Sequence, residues 1–106
     1  MTGPELKKLR EHLGEALGRK LTVADMAKLC GLPAADGAEK FRRWEVTGPT
    51  AKVAALLRVL AMASEQYPIL EKFDVFDRHD VPVGDRAARR EAFREQIRDD
   101  VRKRLD

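Results

Sequence analysis

Three cations crowd one short stretch of this chain. Lys40, Arg42 and Arg43 lie beside Phe41 and Trp44 in Glu39-Lys40-Phe41-Arg42-Arg43-Trp44-Glu45. Phe41 and Trp44 are three apart, so they share one helical face and read as core packing rather than as base-stacking aromatics. Glu39 and the cations then point elsewhere. A short helix that buries its aromatics and displays its cations is shaped for the major groove of DNA, where Lys and Arg meet phosphates and base edges. Competing chemistries lack their residues. Ser64, the only serine, has no nearby base and no glycine elbow. His12 and His79 lack partner spacing, and His79 among Asp77 and Asp80 makes too sparse a set for a metal. There is no phosphate-cradling glycine loop. An enzyme is therefore not expected, and no cofactor or metal is implied.

A net charge of +3 discriminates little, but its distribution discriminates more. Residues 1–63 hold 11 Lys/Arg against 7 Asp/Glu, a balance of +4; residues 64–84 hold 2 against 5, a balance of −3; residues 85–106 hold 8 against 6, a balance of +2. The stretch that carries the cationic helix is the most basic, and the stretch that follows repels phosphate. The lone Cys30 excludes an internal disulfide and a cysteine-based zinc site. It reads as a small core residue and fits a reducing cytoplasm. Glu5, Lys7, Lys8 and Arg10 charge the beginning of the sequence against a secretory signal. No apolar run approaches the roughly 20 residues that span a bilayer. A cytoplasmic protein with no membrane partner is expected.

At 106 residues the chain is one domain with an appendage. Leu6, Leu9, Leu13 and Leu17 recur at helical spacing and predict a helix over 4–17, with Thr2 and Glu5 at capping-box spacing. A second helix is predicted over 23–30, capped by Thr22 with Asp25 three residues on, and ended by Gly31 with Leu32 folding back. Pro33 to Gly37 is a turn. A third helix follows from about 37 to 46, with Asp36 as its cap. Gly48-Pro49 opens a fourth over 49–63, whose inward face is Val53, Leu56, Leu57 and Leu60. A short helix over 65–73 and a linker over 74–84 lead to a long helix, capped by Asp85, over 85–105. Its apolar stripe is Phe93, Ile97, Val101 and Leu105, and Asp99/Lys103 and Asp100/Arg104 are spaced for i, i+4 ion pairs.

Residues 6–63 resemble the helix-turn-helix domain of the lambda/Cro repressor type, the Xre family. The resemblance rests on Leu9-Arg10 before Leu13-Gly14, on Leu21-Thr22 and Asp25-Met26-Ala27, on Leu29-Cys30-Gly31-Leu32, and on Phe41-Arg42-Arg43-Trp44-Glu45 followed by Gly48-Pro49. The Trp-Glu pair after two cations is the most specific of these. The resemblance implies an all-α, lambda repressor-like bundle of four to five helices with an additional long C-terminal helix. It implies that Ala38, Glu39 and Arg43 read bases while Lys40 and Arg42 lie toward the flanks or the backbone. It also implies that Arg10 pairs with Glu45, as an arginine of the first helix often does in that family. The chemistry agrees, since Arg can fork onto guanine O6 and N7 and Glu can accept from cytosine N4.

The expectation is a sequence-specific DNA-binding transcriptional regulator, a repressor that binds an inverted repeat of double-stranded DNA as a homodimer. Its parts are a DNA-binding domain over 1–73, a linker over 74–84, and an amphipathic helix over 85–106 whose apolar stripe can pack on the fourth or fifth helix of its own domain or, as the need for two half-sites favours, on a second copy. The alternative is an antitoxin or antiactivator that captures a partner protein through 74–106.

Overall fold

In the computed structural model, which describes residues 1–67 and 81–106, every regular element is helical. The elements are α1 (Gly3–Leu17), α2 (Val23–Leu29), α3 (Gly37–Thr47), α4 (Ala51–Ala61), a 3-10 turn (Val83–Asp85) and α5 (Arg86–Leu105). Most of the expected 65–73 helix and 74–84 linker lies outside the described residues, as does His79. Glu65, Gln66 and Tyr67 form a turn, closed by the Tyr67 N–H donating to the Ser64 carbonyl at 3.2 Å.

Helix ends follow the backbone conformations that their caps need. Thr2, Thr22 and Thr50 each sit in extended conformation and accept a hydrogen bond from the amide three residues on. Thr22 and Asp25 complete a reciprocal capping box. Because Thr50 is the cap, α4 begins at Ala51, and Pro49 stays outside it. The two acidic caps do not form. Asp36 (φ −135°, ψ 1°) and Asp85 (φ −94°, ψ −10°) lack the extended backbone that swings a side chain over the first turn. Asp85 instead ends the 3-10 turn and runs directly into α5.

One hydrophobic cluster joins all five helices. Leu6, Leu9 and Leu13 of α1, Met26 of α2, Phe41 of α3, Leu57 of α4 and Val101 of α5 are its deepest side chains. On α4 the structure buries Leu57 and Leu60 as expected and adds Ala54 and Ala61, while Val53 and Leu56 are half-buried. Burial pushes the Cys30 thiol up to about 11, so it stays protonated and apolar at neutral pH.

The stripe on α5 packs on its own domain, one of the two arrangements open to it: Ile97 and Val101 are buried within this chain, and Phe93 and Leu105 pack against the same core. Polar contacts fasten the helix down. Arg98 Nε donates to the Ala63 carbonyl just beyond α4 at 3.1 Å, and Lys28 Nζ donates to the Leu105 carbonyl at 3.1 Å. The Asp99/Lys103 and Asp100/Arg104 pairs do not form either. Arg98 bridges Glu91 and Glu95, and Arg102 reaches Glu95 and Asp99. The longer, forked guanidinium takes Asp99 from Lys103 at i, i+3.

A chain ended at Gly84 should therefore be destabilised rather than merely monomerised. Removing Ile97 and Val101 forfeits about 1.5–3 kcal/mol each, against a total stability of about 5–15 kcal/mol. We expect the thermal midpoint to fall by about 10 °C or more in a circular-dichroism melt. An unchanged midpoint would show that α5 docking contributes nothing.

Candidate nucleic-acid interface

Helix α3 is positioned from three sides. The first is the turn out of α2. Gly31 takes the left-handed conformation (φ 73°), its N–H reaches the Lys28 carbonyl, and the Leu32 N–H reaches the Ala27 carbonyl at 3.0 Å. That is the two-bond closure of a Schellman motif, and it satisfies α2's last carbonyls while turning the chain back. The Gly37 N–H then donates to the Pro33 carbonyl at 2.8 Å and starts α3. A methyl group built on Gly37 would lie 3.1 Å from Ala27 Cβ and 3.0 Å from Leu32 Cβ. Small residues thus let α2 and α3 cross closely.

The second side is a clamp from α1. Arg10 Nε donates to Glu45 Oε2 at 2.6 Å, and Nη2 donates to Oε1 at 3.1 Å. The remaining arm, Nη1, donates to the Leu21 carbonyl at 2.9 Å. One guanidinium therefore ties together α1, the approach to α2, and the last turns of α3. The side chains retain only 16% and 10% of their exposure. Hydrogen bonding to Glu45 raises Arg10 above the ordinary arginine value, against the opposing cost of desolvation. The planar fork matches the carboxylate in both position and direction, which fixes rotation as well as distance.

The third side is the start of α1. A Cβ on Gly3 would fall 2.6 Å from the Glu45 carbonyl oxygen and from the Val46 carbonyl. Only a glycine lets α1 approach the α3 backbone so closely. Underneath, Phe41 is fully buried and meets half-buried Trp44 edge-on, ring centroids 6.1 Å apart at 65°.

With its inner face held this way, α3 presents its outer face as follows. Glu39 and Arg43 are exposed and four residues apart, so they share a face. Arg42 is exposed on the α1 side, in line with half-buried Ala38 and with Glu45. Lys40 is exposed on the opposite flank. Ala38 is thus turned toward the Arg42–Glu45 edge rather than toward the Glu39–Arg43 stripe. Val46, which the sequence reading treated only as the end of the helix, is 77% exposed and seven residues beyond Glu39. Its spacing from Glu39 and Arg43 was readable; the lack of any inward partner for it was not.

The described residues contain no group of three or more His, Cys, Asp or Glu that could hold a metal ion, and no helix among them is long and apolar enough to cross a membrane. What the arrangement can do is recognise a polyanion or a polar edge with a rigid helix carrying cations of fixed spacing. Comparison with protein-family models, curated proteins and solved structures finds no match to this chain.

The clamp gives a thermodynamic prediction. Glu45→Ala leaves Arg10 poorly solvated and unpaired, and should cost toward the lower end of about 3–5 kcal/mol, because the pair is not wholly buried. A double replacement, Arg10→Met with Glu45→Met, should recover most of that loss. Urea titrations of the two single variants and the double variant measure the coupling directly; additive effects would show that the pair is energetically inert.

Proposed function

We propose that the chain is a sequence-specific DNA-binding regulator of the lambda/Cro repressor-like helix-turn-helix type, with α2 and α3 as the helix pair. The single observation that carries this reading is the state of α3. It is locked from behind by the Arg10–Glu45 fork and the Gly3 contact, and it displays Lys40, Arg42 and Arg43 to solvent. A cationic helix held rigidly at a close-crossed turn suits insertion into the major groove, whose recognition demands fixed geometry more than total charge. In this reading Arg43 donates to a guanine, Glu39 accepts from a cytosine amino group, and Lys40 and Arg42 lie against phosphates.

Repression follows if the site overlaps a promoter. Two copies on an inverted repeat would set two α3 helices about 34 Å apart. The dimer contact is then elsewhere than the α5 stripe, which this chain buries itself. The alternative is capture of another protein through 74–106; with Ile97 and Val101 buried in this chain, such a partner would meet the exposed side of α5 or displace the helix.

In vitro selection from a random duplex pool tests the reading. An enriched inverted repeat is the expected result, and a pool that stays random after repeated rounds would sink it. On the enriched site, Arg43→Ala should cost about 1–3 kcal/mol and relax preference at one base position. Lys40→Ala should weaken all sequences about equally and make the salt dependence shallower by roughly one unit of log–log slope. An Arg43→Ala variant with the parent's affinity and preference would place the reading helix in a different register.

A further inference from the structure

We infer that Val46 reads the C5-methyl group of a thymine, which extends the polar readout of Glu39 and Arg43 by an apolar one. The inference rests on the DNA-binding reading of α3.

Three observations carry it. Val46 is one of only three large hydrophobic side chains exposed among the described residues, and it is 77% exposed on the helix that displays the cations. It lies seven residues from Glu39 and three from Arg43, so Glu39, Arg43 and Val46 form one stripe along the helix. The major-groove helix of a homeodomain contacts bases from positions at this i, i+3 or i+4, i+7 spacing. Finally, the backbone of Val46 is fixed. The start of α1 abuts its carbonyl at Gly3, and the Gly48 N–H closes the helix onto the Trp44 carbonyl at 2.8 Å.

A lone valine on a helix surface ordinarily needs no explanation. This one has a context that supplies a ligand of matching chemistry. A β-branched residue is a mediocre helix former, and with no packing to offset that cost the site gains nothing from it in the free protein. The thymine methyl is the one apolar group that an A·T pair offers in the major groove, and apolar side chains contact it there. Valine carries no donor or acceptor to compete with Arg43 for guanine or with Glu39 for cytosine, and its rotamer is already restricted, so ordering it costs little. The stripe then distinguishes three features in succession: a cytosine amino group, guanine acceptors and a thymine methyl.

The test is a cycle of protein and DNA changes on the full chain. The probe is a synthetic duplex of the sequence enriched from the random pool. Each thymine is replaced in turn by deoxyuridine, which removes only the methyl group. We expect one such replacement to weaken the parent protein about three- to fivefold, the worth of burying one methyl. Val46→Ala should bind the thymine and uracil duplexes equally at that position, and its melting temperature should be no lower than the parent's, because the side chain is exposed and alanine is the better helix former. If every thymine-to-uracil ratio is the same for parent and Val46→Ala, the inference is wrong while the DNA-binding reading stands, since enrichment will already have been seen. If the parent enriches no sequence at all, both are overturned, and the two failures are told apart by that first step.

Discussion

Everything that α3 can do depends on one guanidinium. Arg10 spends its donors on Glu45 and the Leu21 carbonyl, and so links a helix, a loop and the end of a second helix through a single rigid plane. A lysine could satisfy one of these acceptors but not all three at once, because its ammonium is a point on a flexible stem. The apolar core beneath would hold α3 in roughly the same place without the fork. Hydrophobic contact is non-directional, though, and tolerates rotation about the helix axis. The fork removes that freedom, and the rotation of α3 decides which of its exposed side chains share a face.

The close approaches at Gly3 and Gly37 act in the same sense. Both leave no space in which α3 could move closer to its neighbours. Schellman closure at Gly31 fixes where the turn begins, and Phe41 anchors the centre of the helix. The cations face water while the fold is assembled around their backs. Carrying these cations on a helix rather than on a loop keeps their spacing independent of local motion.

Much of this was readable from residue order. The leucine stripe of α1, the Thr22–Asp25 box and the Gly31-Leu32 ending are local signals, and each forms as its spacing requires. The Arg10–Glu45 pair was reachable only through resemblance, because 35 residues separate the partners and no periodicity links them. Local signals also misled where backbone conformation decides. Asp36 and Asp85 have capping side chains on backbones that cannot use them. The Phe93-to-Leu105 stripe showed which face of α5 is apolar, but a periodic pattern cannot say what covers it. The approach of Gly3 to α3 left no trace in the sequence beyond a glycine. For the exposed side chains of α3 the structure supplies orientation, while their roles come from chemistry.

The docking of α5 has a consequence for the order of events during synthesis. Its contacts are distant in sequence: Lys28 meets Leu105 across 77 residues. Val101 is fully buried in a cluster that, apart from α5 itself, draws on residues 1–67. A nascent chain can form α1 to α4 early, since their contacts are local and quick to close. Its core nevertheless has an open side until the segment around Val101 has been made. During that interval the surfaces of α1 and α2 that α5 will cover are bare and apolar, and so liable to meet another chain. The newly made protein thus passes through a brief sticky stage that the mature one conceals.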